Sequence, residues 1–517
     1  MAQYLTSIVA ARPDDEAIVG PGGTRTWRGL DARVNRWVHL LRGLGLGRGD
    51  PVAMVIGNRV ETFEAILACL HAGLVIVPVN WHLTPAEAAA IVADAGCAAV
   101  LAEPATAALA AESVAALPEP ARVRVRLVTG ERDRSGLCAV EPLLAETRDT
   151  EPDDQLSGTI MMYTSGSTGQ PRGVRNNLFV EGASPRRLAR LLDYAASVLR
   201  VPGDGASVLQ VGPWYHSSQL YFALMPLLRG CRLLLHERFD AAAVLATLAA
   251  ERVAACHLVP TQLIRLLGLP PEVRDTFRAD RLNVVWHGGG PCPPQVKRAM
   301  IEWWGPILLE YYGATEGGVA SLIDSTEWLA RPGSVGRAAP YTELLVVDDD
   351  GRPVPAGVTG RVFLRRAAGR GFEYHRAPEA TARAHLGPGT FTYGELGHLD
   401  EDGYLYLVGR AKDRIVSGGV NIYPAEIEAV LLRHPWVLDA AVIGVPDPEF
   451  AERPLALVEP HPTAEAGDDL ATVLEAHCRR HLAGFKVPRA YRVVSALPRD
   501  ASGKLRKAEL RRRWGSR

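Results

Sequence analysis

The 517 residues are 47% hydrophobic, too long a chain for one core and long enough for several packed subdomains. With 57 basic against 58 acidic residues the net charge is −1, which removes the electrostatic footprint of a nucleic-acid or anionic-membrane binder and leaves small molecules as the expected partners. Seven scattered cysteines without a Cys-x-x-Cys pair read as reduced thiols in a cytoplasmic protein, the amino terminus lacks the pattern of a signal peptide, and the apolar run Ala65 to Val79 is too short to span a bilayer.

From Pro51 to about Tyr311, short apolar runs alternate with helix-period segments: a strand at Val52 to Ile56, a helix at Val60 to His71, a strand at Leu74 to Val79, then a helix opening at Thr84-Pro85-Ala86-Glu87, a capping box with proline in its first turn. Runs at Leu233 to Leu235, Val253 to Leu258 and Leu282 to Trp286 continue the pattern, which predicts mostly parallel sheets covered by helices on both faces. Between Ser334 and Val408 the pattern changes to alternating strands with Gly/Pro/Asp turns, a β-rich subdomain. After Gly409 it restarts with a helix at Ala425 to Arg433, strands at Ala440 to Val445 and Leu455 to Val458, and a helix near Leu470 to Leu482, enough for a small α+β domain. The division expected is a large domain over 1–410, its β subdomain at about 334–410, and a small domain over 411–517.

The densest chemistry lies at Tyr163 to Val174. After the apolar run Gly158 to Met162, a strand empties into a loop carrying Thr164, Ser165, Gly166, Ser167, Thr168 and Gly169, then Arg172. Glycines let backbone amides approach an anion, the hydroxyls donate, and Arg172 supplies charge, so the segment reads as a polyphosphate loop rather than a flexible linker. It lacks the Gly-Lys-Ser/Thr of a P-loop. Further along stand Pro213-Trp214-Tyr215-His216, Trp286-His287-Gly288-Gly289-Gly290-Pro291, Tyr312-Gly313-Ala314-Thr315-Glu316, Thr392-Tyr393-Gly394-Glu395-Leu396-Gly397, Gly409-Arg410-Ala411-Lys412-Asp413-Arg414, Ser417-Gly418-Gly419, and Ser502-Gly503-Lys504.

In this order the motifs resemble those of the ANL superfamily of adenylate-forming enzymes, acyl-CoA synthetases in particular. The resemblance implies that residues 164–169 with Arg172 hold the phosphates of ATP. It further implies that Tyr312 stacks on adenine, Thr315 bonds the α-phosphate, Glu316 holds Mg²⁺, and Gly288 and Gly289 line the adenine and acyl pockets. Glu395 would take the ribose, Arg410 would bind ribose or phosphate, Lys412 would be the hinge of a mobile small domain, and Gly418 and Gly419 would line the pantetheine tunnel. Lys504 would stabilise the α-phosphate during adenylation, and His216 would gate the channel. The implied reaction joins a carboxylic acid to coenzyme A through an acyl adenylate, with ATP, Mg²⁺ and CoA as cofactors. Two departures fall on nucleotide contacts: Arg172 where the family has lysine, and Glu395 where it has aspartate. They keep open a ligase with weak adenylation that uses a supplied adenylate, beside a free-standing adenylation enzyme loading a carrier protein and a non-catalytic nucleotide sensor. Trp214, Tyr215 and Trp286 hint at a bulky or apolar acid; a homodimer is left open.

Overall fold

The computed structural model describes residues 2–155, 157–165, 171–175, 179–366, 371–417, 420–462, 464, 470–500 and 505–515, and its architecture is set by two large sheets that share one core. The first has nine strands, in the order Arg337–Ala338, Gly318–Asp324, Leu308–Ala314, Val284–His287, Val253–Leu258, Ser207–Gln210, Arg232–Leu235, Glu16–Gly20 and Gly23–Thr26. Its six central strands are parallel and its margins antiparallel. The second has eight: Glu373–Tyr374, Pro171–Arg175, Thr159–Ser165, Val75–Pro78, Pro51–Val55, Ala99–Ala102, Val125–Val128 and Cys138–Ala139, parallel from Thr159–Ser165 onward.

Helices Val60–Ala72 and Ser217–Leu228 belong to the core that the two sheets share. Every residue from Thr62 to Ala72 and from Gln219 to Leu228 is buried, which accounts for their being apolar all round instead of amphipathic. The one carboxylate so buried, Glu64, accepts from Arg25, Arg33 and the Trp37 indole. The helix Pro85–Ala95 starts at the expected capping box: Thr84 Oγ1 accepts from the Glu87 amide at 3.3 Å while the Glu87 carboxylate accepts from the Thr84 amide at 2.9 Å.

Strands Thr342–Val347, Gly360–Arg366, His385–Gly387, Thr390–Phe391, Glu395–Leu399 and Leu405–Arg410 form a six-stranded antiparallel sheet, the expected β subdomain. A separate five-stranded sheet follows, built on the long hairpin Val437–Asp447 and Ala451–Pro460 with helices Pro424–Leu431 and Leu470–His481 beside it. These hairpin strands run several residues beyond the apolar segments at Ala440 and Leu455, because their ladder continues over polar residues to Asp447 and Ala451. Among the described residues no helix is long and apolar enough to cross a membrane.

Candidate functional site

The strand Leu308–Ala314 carries different chemistry on its two faces. Leu308 packs into the core under helix Pro294–Trp304, where Glu310 takes a bond from Lys297, while Leu309 and Tyr311 face the core shared by both sheets. At the strand's end Tyr312 turns toward the β subdomain, and its hydroxyl donates to Glu395 Oε2 at 2.8 Å, while Arg410 Nε donates to Oε1 at 3.2 Å. Burial and the Glu395 charge hold the Tyr312 phenol well above its usual range, so it is a neutral donor. Strand pairing puts Glu395 directly opposite Arg410. The extra methylene of Glu395 thus reaches two partners, a tyrosine and an arginine that the sequence had marked separately.

Just past that strand, Thr315 Oγ1 lies 2.9 Å from Ser217 Oγ, at the first turn of helix Ser217–Leu228. Glu316 Oε1 accepts from the Tyr374 hydroxyl at 3.0 Å, and the Arg172 guanidinium lies 5.6 Å from the centre of the Tyr374 ring. Sequence reasoning missed Tyr374. It occupies a two-residue strand, Glu373–Tyr374, paired with Pro171–Arg175, too short to leave a periodic signal. Thr164 and Arg172 face each other across the ladder that precedes the loop; Gly166, Ser167, Thr168 and Gly169, and the side chain of Ser165, lie outside the described residues.

Gly288 follows the strand Val284–His287, and a Cβ there would sit 2.6 Å from the Tyr311 carbonyl oxygen; Gly289 has a φ of 78°. Both therefore require glycine. Under Gly288 runs a buried relay in which the Gln219 amide nitrogen lies 2.8 Å from His257 Nδ1 and His257 Nε2 lies 2.9 Å from the Tyr311 hydroxyl. Burial pushes His257 down to about 3, so the imidazole is neutral.

His216 is half-buried against Tyr215, whose ring meets Trp81 edge-on at 4.5 Å. Of the three aromatic residues that hinted at the acid, two are corrected. Trp214 and Trp286 are wholly buried, their indole nitrogens donating to the carbonyls of Ile56 and Leu199, so they are scaffold and not pocket wall. Asn58, also unread in the sequence, stitches the two sheets by donating to the Gly212 and His236 carbonyls and accepting from the Trp214 amide.

Lys412 is exposed on the turn Ala411–Asp413, and the neighbouring Asp413 is held by Arg511 at 2.7 Å. Gly418, Gly419 and Lys504 lie outside the described residues. The flanks of Lys504 are informative: Arg499, clamped by both oxygens of Asp439 at 2.7 Å, pairs antiparallel with Leu505, and the charges of Asp500 and Arg506 act on Tyr215. Among the described residues no group of three or more His, Cys, Asp or Glu could hold a metal. A cation at Glu316 would need further oxygens from a ligand, which suits Mg²⁺ shared with phosphates.

The family model described as AMP-binding enzyme matches residues 5–369, and that described as AMP-binding enzyme C-terminal domain matches residues 426–504. The chain is 34% identical to a feruloyl-CoA synthase from Amycolatopsis over 97% of its own length and 96% of that protein's. Among solved structures it superposes on the amide bond synthetase McbA of Marinactinospora thermotolerans with a TM-score of 0.82, at 28% identity and 99% of each chain. It also superposes on the o-succinylbenzoate CoA synthetase of Bacillus subtilis, solved with its acyl-adenylate intermediate, with a TM-score of 0.81 at 26% identity, covering 98% and 97%.

Proposed function

The chain belongs to the AMP-binding enzyme family as an acyl-CoA synthetase of the ANL superfamily, and from that premise we propose which of its residues carry each step. It is an AMP-forming acid–CoA ligase that works through an acyl adenylate. A carboxylate repels nucleophiles and has no good leaving group. Its attack on the α-phosphate of ATP expels pyrophosphate and gives a mixed anhydride, whose acyl carbon then takes the CoA sulfur as AMP leaves. Both steps demand positioning and charge neutralisation more than covalent help from the protein.

The observation that supports this assignment is that Tyr312, bonded to Glu395 with Arg410, and Tyr374, bonded to Glu316 beside Arg172, pack in the same apolar cluster. In our reading Glu395, oriented by Tyr312 and Arg410, accepts the ribose hydroxyls. The loop 164–169 and Arg172 hold the β- and γ-phosphates, and Thr315 bonds the α-phosphate. Glu316 would hold Mg²⁺, which supplies positive charge beside the phosphate oxygens. Lys504 faces charge developing on the α-phosphate in the first step. A small domain over 411–517 then turns about Lys412, exchanging the Lys504 segment for the Gly418-Gly419 loop along the pantetheine arm, with His216 at the gate. We take the enzyme to complete both half-reactions with CoA, because Glu395 has two partners that its added length reaches.

The test supplies ATP, Mg²⁺, CoA and a panel of carboxylic acids, aromatic acids first because the Amycolatopsis relative is a feruloyl-CoA synthase, and follows AMP and thioester by mass spectrometry. Lys504→Ala should slow acyl-adenylate formation by about 10² to 10³ while thioester formation from a synthetic adenylate survives. An unmutated enzyme that forms no adenylate yet converts a synthetic one would favour the weak-adenylation alternative.

A further inference from the structure

Tyr374 belongs to none of the motifs that carry the chemistry, yet it bridges two of them. Its backbone is pinned on three sides. The Glu373–Tyr374 strand pairs with Pro171–Arg175, the Tyr374 amide donates to Thr381 Oγ1 at 3.0 Å, and the next amide, of His375, donates to the Gly173 carbonyl at 2.7 Å. The His375 ring in turn lies 3.1 Å from the Asp94 carbonyl oxygen, whose side chain accepts from Tyr163 at 2.6 Å. The phenol so mounted points at Glu316 Oε1, 3.0 Å away, with its ring beside the Arg172 guanidinium.

We propose that Tyr374 is a positioning residue for the first half-reaction: by holding Glu316 Oε1 it fixes the direction of Oε2, and by its ring it sets the plane of Arg172. The inference rests on the reading of Glu316 as the cation-holding carboxylate. A carboxylate on a flexible stem rotates about its last bond, and a hydrogen bond to one oxygen stops that rotation. The donor must be neutral, since a cation in its place would cancel the charge that Glu316 offers to a ligand. A phenol is an uncharged donor at neutral pH, which meets that need. For Arg172, planar where lysine is a point charge, a fixed aromatic face orients the guanidinium fork. Residues 172, 316 and 374 thus meet through a strand of two residues, and the phosphate arm and the carboxylate arm are held in one register.

The experiment measures ATP affinity by titration calorimetry with Mg²⁺ and again in EDTA, for the full-length protein and three variants. Tyr374→Phe keeps the ring beside Arg172 and deletes the bond to Glu316; ATP should bind about tenfold more weakly with Mg²⁺ and unchanged in EDTA. Tyr374→Leu removes the ring as well and should weaken ATP in both conditions. Equal weakening of Tyr374→Phe in both conditions, or no weakening with Mg²⁺, overturns the proposal. Glu316→Gln separates the two levels of argument. If it abolishes the Mg²⁺ dependence while Tyr374→Phe does not alter it, only Tyr374 is misassigned. If Glu316→Gln also leaves the Mg²⁺ dependence intact, the cation role of Glu316 itself falls.

Discussion

Two acid–base pairs flank the strand Leu308–Ala314, and they are built for opposite ends. Lys297 and Glu310 meet at 2.5 Å with exposures of 0% and 8%, the ammonium 4.9 Å from the centre of the Trp328 ring. Burial pushes the Glu310 carboxyl above its ordinary value, and the charge and bond of Lys297 offset only part of that. Glu395 and Arg410 meet at 3.2 Å with exposures of 12% and 35%, so the arginine side of the pair is open to water. The comparison teaches that what an ion pair is free to do follows from its burial: the inner pair joins helix to sheet, and the outer pair is the polar surface to which we assign the nucleotide.

The comparison breaks most sharply at Lys297. Lys297→Met strands a buried carboxylate and should cost about 3–5 kcal/mol in urea melts, whereas Lys297→Met with Glu310→Leu should recover most of that loss. A single variant within about 1 kcal/mol of wild type would show that the pair is not sealed from water.

At the outer pair the loss should move from folding to binding. Arg410→Ala should weaken ATP about ten- to a hundredfold while shifting stability by no more than about 1 kcal/mol, since Arg410 is partly open to water and Glu395 keeps its bond from Tyr312. Equal losses in both quantities would erase the distinction between the pairs.

Glu395→Asp sharpens the same point. Shortening the side chain by one methylene pulls the carboxylate from Tyr312 and Arg410, so adenylation should fall several-fold rather than rise, as a displacement of about 1 Å commonly does. Faster adenylation by the Glu395→Asp variant, measured by pyrophosphate exchange, would mean that the glutamate handicaps the first step.

The smallest effect belongs to a third pair, out on the surface. Asp324 caps the helix Ser325–Ala330, accepting from the Thr326 and Glu327 amides at 3.0 Å and from Arg200 at 2.9 Å. Partial burial raises its carboxyl, but these bonds outweigh that and leave it below its ordinary value. A depressed folded-state value contributes stability above the unfolded value of about 3.9 and loses it as pH falls through the folded one. Asp324→Asn should therefore cost under about 1 kcal/mol at pH 7 and flatten the acid limb of the stability curve below about pH 4. A variant whose acid limb is unchanged would place that titration elsewhere.

Much of the fold was legible because its signals are local. The capping box at Thr84, the apolar runs at Pro51–Val55 and Val253–Leu258, and the shift to alternating strands after Ser334 each lie within about a dozen residues. The motifs that carry chemistry were legible for the same reason, as runs of glycine, hydroxyl and charge at loop positions. Trp214 and Trp286 misled because a large aromatic residue beside a motif looks the same in sequence whether it lines a pocket or fills a core. Asn58 and Tyr374 left no signal, being single polar residues whose partners lie far along the chain.

By itself, then, the sequence determined the alternation of helix and strand, the places where helices begin, and the family to which the chain belongs, and it marked a candidate phosphate loop. Only the tertiary structure decided which of those residues act together. Tyr312 and Glu395 meet across 83 positions and Glu316 and Tyr374 across 58. Sheet order brings them together, through strands as short as Glu373–Tyr374 that are stable only because neighbouring strands and the core hold them. Contacts of that kind are decided by the burial of surface over the whole domain, which no window of sequence contains.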